Sequence, residues 1–136
     1  MDTDVILDFF FDRQPYSEFA TTILSWSENQ KIETYITPVI CSSVYYLLRQ
    51  TAKHEKVIEK LTQLLRIVDV LQMDREVIKS AMTSEFSDFE DALQHFAAIQ
   101  QGDIHVILTR NIKDFKKSKI GLITPEQYIH TKMVSS

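Results

Sequence analysis

Three features of this chain predict an α/β fold. Amphipathic stretches recur at helical spacing, short β-branched runs lie between them, and turn residues are too few for an all-β structure. The chain has 136 residues, 44% of them hydrophobic and 10% aromatic, with a net charge of −4. Disorder does not fit such a composition, and the length suits one domain over residues 1–136. Two glycines and three prolines cannot supply the many tight turns of a sandwich or barrel. A chain this long buries about 68% of the surface its unfolded form exposes, so it needs no staple. Cys41 is the single cysteine, which excludes a disulfide framework and a cysteine-rich zinc site and fits a reducing compartment. No apolar run approaches the roughly 18 residues of a membrane span. Acids at Asp2 and Asp4 stand where a secretory signal carries positive charge, so a cytoplasmic protein with no membrane partner is expected.

Tyr16, Phe19, Ala20, Ile23 and Leu24 form one apolar stripe, and Val57, Ile58, Leu61, Leu64 and Leu65 form another, each with polar residues opposite. Thr37-Pro38 reads as an N-cap followed by proline at the first helical position, opening a helix through Val39, Val44, Leu47 and Leu48. Asp74 caps a short helix through Val77, Ile78 and Ala81. Ser87-Asp88-Phe89-Glu90 fits the capping box and opens a helix whose stripe is Phe89, Ala92, Leu93, Phe96 and Ala97. Between these lie β-branched apolar runs at 34–37, 67–71, 104–108 and 120–124, each the length of a buried strand. Such alternation implies right-handed crossovers onto a mostly parallel sheet covered on both faces.

Ligands of such sheets bind beyond the carboxyl ends of the strands, so polar residues that follow strands or begin helices are the candidates. Three groups qualify: Asp2, Thr3 and Asp4 before Val5-Ile6-Leu7; Asp88, Glu90 and Asp91 at a helix start; and Thr109, Arg110, Asn111 and Asp114 after the run 104–108. Carboxylates gathered from distant parts of a chain repel one another unless a cation intervenes, and Mg²⁺ and Mn²⁺ take oxygen ligands. Such an ion activates water for in-line attack on a phosphodiester. The segment 110–119 holds five basic residues against one acid, suited to docking phosphate.

The motifs Asp2-Thr3-Asp4-Val5-Ile6-Leu7-Asp8, Asp88-Phe89-Glu90-Asp91-Ala92-Leu93-Gln94, Thr109-Arg110-Asn111-Ile112-Lys113-Asp114-Phe115 and Thr124-Pro125-Glu126, in this order and spacing, resemble the PIN-domain ribonucleases, particularly the small bacterial members similar to VapC toxins. The resemblance spans almost the whole chain. It implies a three-layer α/β/α sandwich around a mostly parallel sheet of four or five strands. Only Met1 precedes Asp2, so strand one is expected either to be truncated or to begin upstream of this sequence. It also implies Mg²⁺- or Mn²⁺-dependent cleavage of single-stranded RNA, with an antitoxin protein and a second copy of the chain as partners. Asp2, Asp91 and Asp114 are then the catalytic metal ligands, and Thr3, Asp4, Asp88, Thr109 and Asn111 support them. Arg110, Lys113, Lys116 and Lys117 are the residues for nucleic acid. The sequence departs from the family at one position. A second acid normally stands early in the helix after strand two, and here that position is Ser43. No carboxylate lies between residues 38 and 53, leaving Asp4, Asp88 or Glu90 to compensate. A PIN domain that binds RNA or protein without cutting is the alternative this departure leaves open.

Other candidates have simpler explanations. Glu90 is accounted for as the reciprocal residue of the capping box, and Asp88 complements the helix dipole. His54, His95, His105 and His130 are too scattered for a metal motif. Cys41 and the Tyr45-Tyr46 pair are expected to pack. Asp2-x-Asp4 is also similar to the paired aspartates of haloacid-dehalogenase-like phosphatases, but Ile6 stands where those have a small hydroxyl residue.

Overall fold

In the computed structural model, which describes residues 1–112 and 120–135, helices and short strands alternate. In chain order they are α1 (Thr3–Phe10), α2 (Tyr16–Glu28), β1 (Tyr35–Ile36), α3 (Pro38–Arg49), α4 (His54–Leu65), β2 (Asp69–Val70), α5 (Arg75–Met82), α6 (Phe89–Gln101), β3 (Val106–Leu108), β4 (Gly121–Ile123) and α7 (Pro125–Ser135). All four strands fall inside the β-branched runs, and both strand pairs are parallel: β1 with β2, and β3 with β4.

The expected continuous sheet of four or five strands is not seen among the described residues; the strands form two separate pairs. Met1 and Asp2 bridge them, because the Met1 ammonium donates to the Tyr35 carbonyl at 2.7 Å and the Asp2 amide to the Leu108 carbonyl at 2.9 Å. Beyond these bonds, Tyr35, Ile36, Ile107 and Leu108 line a cavity of about 520 Å³.

Val5, Ile6 and Leu7 are helical rather than extended. A short apolar run does not distinguish the two forms, but four consecutive buried residues, Val5 to Asp8, suit a helix enclosed on all sides. The α1 helix packs on α2 and α3, and its apolar residues join Ile23, Ile36, Ile40, Val44 and Val57 in the main core. A second cluster holds α5 against α6 through Val77, Ala81, Ala92, Leu93 and Ala97. The stripes are narrower than the periodicity suggested: Ile58, Leu65, Ile78 and Phe89 remain exposed.

Local caps position the elements. The Thr37 hydroxyl accepts from the Ile40 amide and the Asp74 carboxylate from the Val77 amide, as the sequence predicted. The α6 helix differs by one residue. Its N-cap is Asp88, which accepts from the Asp91 amide at 2.9 Å, so Ser87 lies outside and the expected capping box does not form. A carboxylate makes a charge-assisted bond to a helix amide, stronger than a hydroxyl makes. Glu90 is thereby released from any capping duty. At its other end α6 stops at Gly102, whose φ of +92° a residue with a side chain rarely adopts.

Candidate metal centre

Asp2 caps α1, and its two carboxylate oxygens have separate partners. Oδ1 accepts from the Thr3 amide at 2.8 Å and Oδ2 from the Thr109 hydroxyl at 2.9 Å. Thr109 follows β3, is fully buried, and accepts in turn from the Asn111 amide at 3.0 Å. The end of β3 is thus joined to the start of α1 at the carboxyl end of the strand, where α/β proteins place their sites.

The connection to α6 runs through Glu90. Its Oε1 accepts from the Thr3 hydroxyl at 2.8 Å and its Oε2 from the Ser43 hydroxyl at 3.4 Å. The structural role that the capping box gave Glu90 is therefore wrong. Its carboxylate crosses to two other helices and meets Ser43, the position at which the expected acid is missing. Asp88 is exposed at the cap, and Asp4 is exposed in the first turn of α1. Asp91 is half-buried one residue after Glu90, its amide held by Asp88. Asp114, Lys113, Lys116 and Lys117 lie outside the described residues.

Both central carboxyls titrate above their ordinary range. Burial is the main cause for Asp2, opposed by the Thr109 hydroxyl and the Thr3 amide. Burial also leads for Glu90, reinforced by the charges of Asp2 and Asp88 and opposed by Thr3 and Ser43. The site resists carrying these negative charges unless a proton or a cation compensates. Each carboxylate oxygen accepts one hydrogen bond and keeps further lone-pair capacity.

This donor set suits a hard divalent ion. Among the described residues no group of three His, Cys, Asp or Glu side chains stands close enough to hold a metal. Mg²⁺ keeps waters and takes one or two protein carboxylates plus substrate phosphate, so Asp2 and Glu90 are the described residues that would hold such an ion.

Arg110 has a different surrounding. Its Nε and Nη2 reach Asp8 Oδ2 and Oδ1 at 2.7 and 3.1 Å, and its guanidinium lies 4.2 Å above the Tyr16 ring. Asp8 is buried, with Arg13 a further 3.6 Å away. The sequence shows Arg110 only as the start of a basic run, and neither this pair nor the Glu90 bridge has a local signal. The remaining candidates are structural. His95 is buried between Phe86 and Phe96, burial raises the Cys41 thiol, and Tyr45 packs on the core while Tyr46 is exposed.

Parallel strand pairs wrapped by helices, with two desolvated carboxylates near a strand's carboxyl end, define an α/β protein with an acidic candidate site. The chain belongs to the PIN domain family, whose sequence model matches residues 1–113. PIN domains are in general nucleases and typically use divalent metal ions. No curated protein and no solved structure matches the chain. No described helix is long and apolar enough to cross a membrane.

Proposed function

We propose that this protein is a metal-dependent endoribonuclease that hydrolyses phosphodiester bonds of single-stranded RNA, acting in the cytoplasm as one PIN-like domain over residues 1–136. We place it with the VapC-like toxins of toxin–antitoxin pairs, with an antitoxin and a second copy of the chain as protein partners. The observation that carries the proposal is the Asp2–Thr3–Glu90–Ser43 bridge, in which two desolvated carboxylates from distant segments share one hydrogen-bond network. Asp2, Asp91 and Asp114 are assigned as ligands of Mg²⁺ or Mn²⁺, with Glu90 supplying the charge that Ser43 does not. When bound, the ion would supply an activated water and offset charge on the phosphate. The Thr3 and Thr109 hydroxyls orient the carboxylates, with Asn111 behind Thr109. Lys113, Lys116 and Lys117 are assigned to the RNA backbone. Arg110 is left out of that group because Asp8 and Tyr16 already engage its guanidinium.

A short single-stranded RNA incubated with the protein and Mn²⁺ tests the proposal. Cleavage is expected with the wild type and is expected to stop with chelator, with Asp91→Asn and with Glu90→Gln. Cleavage that survives chelation and both substitutions refutes the metal mechanism. The serine at position 43 favours a second reading, a PIN domain that binds RNA or protein without cutting. Calorimetric titration with Mn²⁺ separates the two, since the nuclease requires a saturable ion site and a binding module does not.

A further inference from the structure

We propose that the ion pair between buried Asp8 and half-buried Arg110 positions the carboxylate of Asp2, acting through Thr109; the inference rests on the metal-site function proposed above. The Thr109 hydroxyl has one proton, which goes to Asp2 Oδ2 at 2.9 Å, so the orientation of Asp2 depends on where the end of β3 holds that hydroxyl. The next residue, Arg110, spans both oxygens of Asp8 with Nε and Nη2 and stacks over Tyr16. Two successive residues after β3 are therefore tied to α1, one at its N-cap and one six residues further along, a separation of roughly 9 Å at the helical rise. Two attachments on one rigid helix set both the distance and the rotation of the segment that carries Thr109. Without the Arg110 attachment the backbone is still held, by the Thr109 amide on the Ile123 carbonyl at 3.1 Å and the Asp2 amide on the Leu108 carbonyl at 2.9 Å, but the rotation that aims the Thr109 hydroxyl is less fixed.

A guanidinium suits this task and an ammonium does not. The planar fork satisfies both oxygens of one carboxylate and offers a flat face to an aromatic ring, whereas lysine presents a single point charge. Arg13 lies 3.6 Å from the same carboxylate. An Arg110→Lys protein therefore keeps its buried charge compensated and folds, while losing the two-point tether. Asp8 and Arg110 act as positioning residues and do not touch the ion.

The test uses the full chain with Arg110→Lys, checked for folding by circular dichroism, and a Val57→Ala control that weakens the core without removing a polar contact. Two quantities are read: hydrogen exchange of the Asn111 amide without metal, and Mn²⁺ affinity by calorimetry. Arg110→Lys is expected to speed Asn111 exchange and to weaken Mn²⁺ binding about 10–100-fold, the usual effect of losing a group that orients a metal ligand. Val57→Ala is expected to leave Mn²⁺ affinity unchanged. Wild-type exchange and affinity in a folded Arg110→Lys protein overturn the proposal, as does equal weakening by Val57→Ala. If the wild type binds no Mn²⁺, the metal function fails, and Asn111 exchange alone decides the positioning role.

Discussion

Restoring an acid at position 43 probes the electrostatics of the site most directly. Ser43 Oγ lies 3.4 Å from Glu90 Oε2, so Ser43→Asp puts a second carboxylate against one that burial already disfavours as an anion. Two unit charges about 4 Å apart interact by about 4 kcal/mol at the effective dielectric of about 20 that suits partly buried sites. Proton uptake by Glu90 limits the penalty, because each pH unit between solution and its pKa costs about 1.4 kcal/mol. Glu90 is half-buried, so solvent screening leaves a destabilisation of about 1–2 kcal/mol near neutral pH without metal. For a chain of this length that is a fall in melting temperature of roughly 3–7 °C. The repulsion exists only while both groups are ionised, so it fades as pH falls into the carboxyl range. A divalent ion should reverse the order: with Mn²⁺ the variant gains more stability than the wild type, because a further ligand charge strengthens binding. Thermal melts in chelator and in Mn²⁺, at pH 5 and 7.5, supply all four values. A variant that melts with the wild type in chelator at pH 7.5, or that Mn²⁺ stabilises no more than the wild type, refutes the shared-site argument.

Three further outcomes are expected. Arg110→Met leaves the buried Asp8 carboxylate with Arg13 at 3.6 Å as its remaining cation among the described residues and should cost about 3–5 kcal/mol in urea denaturation; adding Asp8→Leu should recover part of it, and a double variant worse than the single one contradicts the pairing. Glu90 has a raised pKa in the folded state, so between its ordinary value of 4.5 and the raised one the folded chain binds more protons than the unfolded chain, and stability falls as pH rises. Glu90→Gln should remove that part of the slope in metal-free urea titrations from pH 5 to 7.5, and an unchanged slope argues against burial as the cause. Asp74→Ala removes the cap on the Val77 amide and should cost about 1 kcal/mol with no change in Mn²⁺ affinity, a null effect that calorimetry checks.

Helix starts were legible because capping is local chemistry. Thr37 and Asp74 each bond to an amide three residues on, within any short window of sequence. The same locality misled at α6. Ser87 and Glu90 satisfy a capping box on paper, but Asp88 offers the stronger acceptor next door and takes the role. The β-branched runs located all four of the described strands, since such residues favour a pleated, buried surface. They carried no information on whether the two parallel pairs would merge, which depends on what lies between β1 and β3.

The acidic and amide positions worth inspecting could be read from the chain, because residues that follow strands and open helices converge at one edge of a parallel sheet. Which of them meet was decided by packing. Glu90 binds Thr3 across 87 positions, and Arg110 binds Asp8 across 102. Hydrogen bonds of that range leave no periodic trace, and isolated polar residues look alike whether solvent or a distant partner satisfies them. Periodicity and capping therefore wrote the elements into the amino-acid order, while the pairing of charges emerged only when the helices closed over the strands and removed the water that would otherwise have solvated each one alone.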